Sequence, residues 1–507
     1  MWLPNHPAVH AVGIAVLVSC SRGAVVRDED PLPRRVFVDG QRFVLAATGM
    51  PIVLSGPNVV VKGPPYLPEV AGDTVCADVI DHECRQSGTC SSCTTFNAAD
   101  ATHIKAMGWN AIRLSVVWAG AQPRDENALD PDFVRRLVAV LSLCDQVGLY
   151  VVLDNHADQV GTANCGNGVP LWFQRRAAPE LIGTPLQAAM PWGLMHALDV
   201  RKMSAYSDCG DNVTRWAQHA YSPNYNLLNE CCQGLNVVKS QNHGRSSNPV
   251  QLGLTTMAQR TMDYLLRDGA GRQAFVRYWR LLAAAVRRHP SAVACELLNE
   301  PVSVRRKEMF ETWRAAAEAI NSEVPDMAVR YTPILCRGWI THANLPSLVH
   351  SLLVRPMDAH GAARLCPQVS VADTMEATII PAWLSKVLGS RGAGLELDEA
   401  LVKWLQTSST LFYSWHYYSP LPPLYFNLGD AIRNAQGISS KWDMPSFVTE
   451  SGSNACRAAG AANISHTYWH YSAYCTTGPA FGNRTVPNAT FGACILGWAG
   501  ANSSADC

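Results

Sequence analysis

Short apolar segments alternate with amphipathic helical segments along much of this chain. Residues 110–118 predict a strand, residues 132–147 an amphipathic helix that stops at Gly148, and residues 149–154 another apolar strand. Strand, helix and strand with short connections are typical of right-handed βαβ units, which place parallel strands side by side. The pattern therefore predicts an α/β fold with a parallel sheet.

The segments that predict parallel strands number eight, which is the number that a closed (β/α)8 barrel requires. In chain order they are residues 53–61, 110–118, 149–154, 293–298, 329–336, 411–417, 446–450 and 466–474. We therefore predict a TIM barrel, and we place it within residues 35–480. A cysteine-containing C-terminal tail follows at residues 481–507.

The first part of the barrel region predicts a β-hairpin. Residues 35–43 alternate about Asp39-Gly40, a dipeptide that is typical of a tight hairpin turn. After Gly49, residues 52–62 predict a further strand. We expect these segments to form a small N-terminal β lid that leads into the first barrel strand.

One connection is far longer than an ordinary βα loop. More than a hundred residues separate His156 from the helix predicted over residues 274–288. This stretch holds four cysteines and a glycosylation sequon at Asn212. We expect residues 159–270 to form a folded, disulfide-tied insertion after the third barrel strand, beside the barrel mouth.

The cysteines and the N-terminus together predict a secreted protein. Seventeen cysteines with one isolated CxxC at Cys90 and Cys93 suit disulfides better than metal sites. Residues 8–20 have the length of a signal-peptide apolar region, so residues 1–22 are a predicted signal peptide, whose cleavage would leave an even sixteen cysteines. A bacterial lipoprotein signal at LVSC ranks below simple secretion. Glycosylation sequons begin at Asn212, Asn463, Asn483, Asn488 and Asn502.

The charge of the chain limits its partners. Forty-one basic residues balance forty-one acidic ones with no block of like charge, which argues against nucleic acid or acidic lipid as a partner. After the N-terminal apolar run, no segment is long and apolar enough to predict a membrane helix. We expect a monomer.

Six of the eight predicted strands end in a polar or aromatic side chain. These side chains are Arg113, His156, Asn299 with Glu300, His416 with Tyr418, Glu450, and Trp469. Each alone has an ordinary structural explanation as an ion-pair partner, a core histidine or a packed ring. Because the strand ends of a barrel meet at one mouth, the whole set predicts a substrate site there.

The motifs at these strand ends resemble a known family. The series RLS, DNH, LLNEP, WHYY, TESG and YWHY resembles the cellulase-type glycoside hydrolase family 5, a group of retaining β-glycosidases on the TIM barrel. The resemblance covers residues 36–474 except the insertion. It implies that Glu300 is the acid/base and Glu450 the nucleophile. It also implies that Arg113, His156, Asn299, His416, Tyr418 and Trp469 bind substrate.

The chemistry of glycoside cleavage agrees with this interpretation. A retaining enzyme needs two carboxyl groups ~5–5.5 Å apart, and the fourth and seventh strands of a closed barrel face each other across its mouth. Glu300 and Glu450 can therefore converge, with no metal and no cofactor expected. We predict a secreted hydrolase of a β-linked polysaccharide such as a cellulose, β-glucan or β-mannan. The alternatives are an endoglycoceramidase-like glycolipid hydrolase and a carbohydrate-binding relative that has lost turnover.

Overall fold

The structure is a computed structural model that describes about half of the chain. The described residues are 35–61, 66–70, 96–157, 160–161, 163, 167–184, 255–301, 303, 305–331, 399–417, 428–451 and 453–468. The predicted signal peptide, the C-terminal tail, Tyr418, Trp469 and most of the predicted insertion lie outside these residues. None of the helices in the described part is long and apolar enough to cross a membrane.

Eight parallel strands close into a barrel, as predicted. Around the barrel the strands follow in the order β10, β11, β4, β5, β6, β7, β8 and β9, so sequence neighbours are also spatial neighbours. Their bounds are β4 Ser55–Val59, β5 Ala111–Ser115, β6 Tyr150–Asp154, β7 Ala292–Glu296, β8 Ala328–Tyr331, β9 Leu411–Tyr417, β10 Ser446–Ser451 and β11 Ser465–Tyr468. The prediction of a (β/α)8 barrel is therefore confirmed.

Ten α-helices are assigned within the described residues, and the longer ones pack outside the strands. They are α1 Ala98–Ala106, α2 Trp118–Ala121, α3 Pro131–Val147, α4 Leu171–Ala177, α5 Thr256–Leu266, α6 Ala270–Val286, α7 Arg306–Glu323, α8 Glu399–Thr407, α9 Leu428–Trp442 and α10 Ser453–Ala461. Helix α3 shows why the boundaries fall where they do. The Asp130 carboxylate accepts hydrogen bonds from the first-turn amides, and Gly148 ends the helix at a φ of +80°.

The N-terminal strands form a separate antiparallel sheet. Strands β1 (Val36–Asp39) and β2 (Arg42–Leu45) are joined through Gly40 and Gln41, and β3 (Pro51–Ile52) pairs with β2. The turn thus falls one residue later than the predicted Asp39-Gly40 pair, with Gly40 at a φ of +52°. The predicted strand over residues 52–62 is divided, because its first part joins this sheet and its second part joins the barrel.

The predicted lid covers the bottom of the barrel, opposite the mouth. Phe43 of β2 lies with its ring centroid 5.7 Å from that of Phe412 and 6.1 Å from that of Phe447. Those two residues stand at the beginnings of β9 and β10, and Val36 and Val38 join the same buried cluster. The small sheet therefore closes the N-terminal end of the barrel with apolar side chains.

The structure corrects part of the disulfide prediction. Cys144, Cys295 and Cys456 are buried and free. The other fourteen of the seventeen cysteines, including the four in the predicted insertion, lie outside the described residues. With three thiols free, cleavage of the signal peptide would leave an odd number of candidates for pairing. An even number of cysteines therefore does not indicate complete pairing here, because Cys144, Cys295 and Cys456 occupy apolar core positions on helices and a strand.

Both flanks of the predicted insertion belong to the helical layer of the barrel. Helices α4 and α5 pack against each other, and α5 also packs against α6. Thr255 begins α5 as a side-chain N-cap, and buried apolar residues such as Met262 and Leu265 line its inner face. The described flanks are therefore continuous with the barrel, and the division at residues 159 and 270 stays a prediction.

Candidate active site

The ends of five barrel strands bring most of the predicted site residues together. Arg113 lies on β5, His156 follows β6, Asn299 and Glu300 follow β7, His416 lies on β9, and Glu450 lies on β10. Contacts between these side chains, given below, join all six into one cluster. Tyr418 and Trp469, the other two predicted site residues, lie just outside the described residues.

Arg113 is the centre of the cluster and is fully buried. Its guanidinium makes two parallel hydrogen bonds to Glu296, with Nε 2.8 Å from Oε2 and Nη2 2.6 Å from Oε1. Nη2 also lies 3.0 Å from Oδ2 of Asp154, and Nη1 donates to Oδ1 of Asn58 over 2.7 Å. Because a buried guanidinium is costly without partners, these contacts explain how its charge is tolerated.

The same guanidinium reaches the two predicted site residues nearest to it. Nη1 donates to Oε1 of Glu450 over 2.9 Å, and Nη2 donates to Oδ1 of Asn299 over 2.8 Å. A positive charge at this distance favours the ionised form of a carboxyl group. Arg113 therefore orients Glu450 as a carboxylate and fixes the Asn299 amide with its nitrogen directed away from the guanidinium.

Glu300, His416 and Glu450 form a second set of contacts above the first. His416 Nδ1 lies 2.8 Å from Oε1 of Glu300 and 3.5 Å from Oε2 of Glu450. One donor atom from each of the three residues lies within 4.8 Å of the others. The two carboxyl groups predicted to carry out catalysis therefore face each other.

His156 is held by the aspartate two residues before it. Its Nδ1 lies 2.8 Å from Oδ2 of Asp154 and 4.0 Å from Oε1 of Glu450. A hydrogen bond at Nδ1 fixes the orientation of the ring. His156 is 1% exposed, so it forms part of the buried floor of the site beside Glu450.

An irregularity in β10 sets the direction of Glu450. The register of β10 against β9 shifts between Val448 and Glu450, which marks a β-bulge at Thr449. The Thr449 carbonyl accepts hydrogen bonds from Asn58 Nδ2 over 3.0 Å and from Thr467 Oγ1 over 2.6 Å. Bulges beside active sites redirect side chains, and here the two donors, from β4 and β11, hold the bulge in place.

The backbone of Glu300 is also unusual. Its φ is +41°, in the left-handed region that side chains other than glycine seldom adopt. The residue precedes Pro301, which disfavours the helical region for it. Such strained residues concentrate at functional sites, and this conformation accompanies the Glu300 side chain's contact with His416.

Three of the buried polar residues were not predicted as site residues from the sequence. Glu296 and Asp154 bind Arg113 directly, and Asn58 links Arg113 to the Thr449 bulge. The sequence did contain a sign of the role of Glu296, because a glutamate inside an apolar strand needs a buried partner for its charge. Asp154 stands inside the DNH motif and Asn58 inside the first predicted barrel strand. Arg113 and Thr449, which they contact, lie on other strands and cannot be recognised as partners from one sequence.

The sequence also matches a family of known enzymes. The sequence model of the family described as Cellulase (glycosyl hydrolase family 5) matches residues 78–184. Within these residues the chain is similar to glycoside hydrolase family 5. The matched residues include Arg113 and His156. The strands that carry the other site residues lie outside the match and belong to the same closed barrel.

Individual relatives carry more specific names. The enzyme is 23% identical to endoglycoceramidase I of Rhodococcus hoagii (strain 103S) over 473 residues, which is 88% of this chain and 70% of that protein. It is 27% identical to an endoglycoceramidase of Cyanea nozakii over 218 residues, or 42% of this chain and 39% of that protein. A crystal structure of endogalactoceramidase superposes with a TM-score of 0.49 and 14% identity, covering 87% of this chain and 75% of that one.

This glycoside hydrolase thus has a layered site. The lower layer holds Arg113 with its buried carboxylates, and the upper layer presents Glu300, His416 and Glu450. The lower layer fixes positions, and the upper layer offers two carboxyl groups that could act on an O-glycosidic bond.

Proposed function

We propose that this enzyme is a retaining β-glycosidase in which Glu450 is the nucleophile and Glu300 the acid/base. The observation that carries the proposal is the approach of the two carboxyl groups, since one oxygen of each lies within 4.8 Å of an oxygen of the other. Retaining enzymes keep their carboxyl groups ~5–5.5 Å apart, whereas inverting enzymes need ~6.5–9.5 Å to admit a water. The shorter spacing favours direct attack by a carboxylate.

The reaction has two displacements. First, the Glu450 carboxylate attacks the anomeric carbon while Glu300 gives its proton to the departing glycosidic oxygen. This step leaves the sugar bound to Glu450 as an ester. Glu300, now ionised, then removes a proton from water as the water oxygen attacks the same carbon, which frees Glu450 and releases the sugar with its original configuration.

The neighbouring residues support these two steps. The Arg113 contact keeps Glu450 ionised, and the Asn299 amide nitrogen is free of the guanidinium to bind the sugar 2-hydroxyl, a contact that strengthens in the transition state. His416 Nδ1 contacts Glu300 and lies near Glu450, so it can stabilise whichever carboxyl group is ionised. His156 lines the same subsite. Tyr418 and Trp469 remain proposed substrate contacts.

For the substrate we propose a glycolipid that carries a β-linked sugar headgroup. Two relatives named endoglycoceramidase support this choice, one of them over 88% of the chain. A 71-residue segment that is 34% identical to the ergosteryl-beta-glucosidase of Saccharomyces cerevisiae agrees with a lipid aglycone. A β-linked polysaccharide is the second candidate, because the matching family model is the cellulase model.

A matched set of substrates tests both parts of the proposal. We expect the enzyme to release sugar from a β-glucosyl or β-lactosyl ceramide in detergent, and to act much more slowly on cello-oligosaccharides and manno-oligosaccharides. Proton NMR of the first product, recorded before mutarotation, should show the β-anomer. Faster action on the oligosaccharides would contradict the glycolipid assignment, and an α-anomer would contradict retention.

A further inference from the structure

A buried carboxylate below the catalytic pair has no part in the two displacements. Glu296 lies on β7, four residues before Glu300, and is fully buried. It holds Arg113 through two short parallel hydrogen bonds of 2.8 and 2.6 Å. Paired contacts of this kind are among the strongest in proteins and fix the plane of the guanidinium.

Arg113 therefore shares one positive charge among three carboxylates, those of Glu296, Asp154 and Glu450. Its Nε and Nη2 atoms face Glu296, while its Nη1 atom donates to Glu450 over 2.9 Å. Charges interact strongly where water is excluded, and the side chains of Arg113 and Glu450 are 0% and 5% exposed. The charge that Glu450 experiences consequently depends on how much of the guanidinium is already neutralised by Glu296.

We propose that Glu296 is a positioning residue that both aims Arg113 and offsets its positive charge, so that Glu450 is oriented without losing nucleophilic strength. An arginine whose charge Glu296 did not offset would stabilise the Glu450 carboxylate more strongly and make it a weaker base and nucleophile. Glu296 prevents this because it accepts two parallel hydrogen bonds from Arg113, whereas Glu450 accepts one. The inference rests on the proposed role of Glu450 as the nucleophile.

Other charged groups around Glu450 come from three further strands. His156 Nδ1 at 4.0 Å follows β6, His416 Nδ1 at 3.5 Å lies on β9, and the Glu300 carboxyl follows β7. Asp154 reaches Glu450 indirectly, through its 3.0 Å contact with Arg113. His416 Nε2 also lies 3.9 Å from Oε1 of Glu296, so the substitution removes a negative charge beside both Arg113 and His416 while the other three groups keep the contacts described above.

The test follows the ionisation of the nucleophile directly. Inactivation by a 2-deoxy-2-fluoro β-glycoside with a good leaving group depends on ionised Glu450 and little on an acid, so its rate is measured against pH. For Glu296→Gln we expect the acidic limb of this profile to move to lower pH by about one unit, because a like charge is removed. The plateau rate should fall by about 3- to 10-fold, because a weaker base is a weaker nucleophile.

A purely structural role would give a different result. It would lower the plateau rate of inactivation and leave the acidic limb of the pH profile at its wild-type position. That outcome would overturn the inference. A limb displaced to higher pH overturns it as well, because it would mean that Arg113 had moved away from Glu450. Glu318→Gln, which changes an exposed glutamate on α7, is the matched control and should alter neither quantity.

Glu296→Asp keeps the charge and shortens the side chain. Its limb should coincide with that of the wild type even if the plateau is lower, and a displaced limb in this variant would also overturn the inference. This second variant carries the test if Glu296→Gln fails to show a cooperative thermal transition. Absence of labelling in the wild type would reject Glu450 as the nucleophile. Labelling of the wild type, together with an unchanged acidic limb in Glu296→Gln, would reject only the role of Glu296.

Discussion

The two ends of the barrel are closed by opposite kinds of side chain. At the bottom, Phe43 of the small sheet packs against Phe412 and Phe447 at the starts of two barrel strands. At the mouth, the ends of the same strands carry His416 and Glu450, which join a buried charged network around Arg113.

This difference separates stability from catalysis along the strand axis. Apolar burial at the bottom is non-directional and stabilises the fold in proportion to the area removed from water. Burying the charges at the mouth costs desolvation free energy, which is offset only when every charged or polar partner is in place. We therefore expect changes at the bottom to affect unfolding and changes at the mouth to affect turnover.

The largest expected effect is on turnover, from a change at the mouth. Glu300→Gln keeps the shape of the side chain but removes the proton donor, so hydrolysis of a glycoside with a poor leaving group should fall by ~10²–10⁴-fold. A glycoside of an acidic phenol needs little protonation and should still form the glycosyl-enzyme rapidly. Steady-state kinetics on the two substrates measure this, and equal losses on both would show that Glu300 is not the acid.

A change at the bottom should give the reverse pattern. Phe43→Ala removes a buried ring that contacts two others, and we expect it to lower the free energy of unfolding by about 3–5 kcal/mol. The value of kcat should stay within about twofold of the wild type at temperatures where the variant is folded. Met50→Ala, at an exposed position next to the same sheet, is the control and should change neither. Lost turnover in folded Phe43→Ala would contradict the separation.

A pH-dependent effect on stability is expected from the lower half of β11. His466 is buried against α10, and burial lowers the pKa of its imidazole despite the hydrogen bond between Nδ1 and the Ile464 carbonyl. The unfolded chain therefore binds a proton near pH 6.5 and the folded chain does so only at lower pH. Stability from this residue is complete above about pH 6.5, begins to be lost below that value, and is fully lost once the pH has fallen through the lowered pKa of the folded state.

The measurement compares wild type with His466→Gln by chemical unfolding at pH 7.5 and 5.5. We expect the wild type to lose more stability than the variant between these values, by up to about 1.4 kcal/mol, because pH 5.5 lies one unit below the ordinary pKa of histidine. Equal losses in the two proteins would show that His466 does not titrate between the folded and unfolded states.

The smallest effect concerns the thiols. Burial raises the pKa of the Cys144 and Cys295 thiols, so native protein should not react at these positions. In denatured, unreduced protein, peptide mapping after alkylation should find Cys144, Cys295 and Cys456 labelled. The prediction of a secreted protein further requires most other cysteines to be blocked as disulfides, and labelling of most of them would contradict it.

The fold was predictable because its signals are local. Each barrel strand is a short apolar run between helical segments, and β9 begins and ends at the predicted residues 411–417. The location of the N-terminal sheet was not predictable, because the hairpin pattern specifies pairing within the sheet and says nothing of which barrel end it covers. The free state of Cys144 also depends on packing that no spacing reveals.

The site was predictable where residues stand at strand ends and hidden where they act across strands. Arg113, Glu300 and Glu450 could be named because a strand end in a barrel points to the mouth. The role of Glu296 could not, because it depends on the approach of β7 to a side chain of β5 in three dimensions. The bulge at Thr449 is likewise visible only through the register of β10 against β9.

The most direct test of the central claim is to trap the glycosyl-enzyme. Incubation with a 2-deoxy-2-fluoro β-glycoside that has a good leaving group slows hydrolysis of a covalent intermediate more than its formation. We predict that intact mass spectrometry will show stoichiometric addition of one fluorosugar, and that peptide mapping will locate it on Glu450. Absence of an adduct together with a product of inverted configuration, or a label on another residue, would contradict the assignment of Glu450 as the nucleophile.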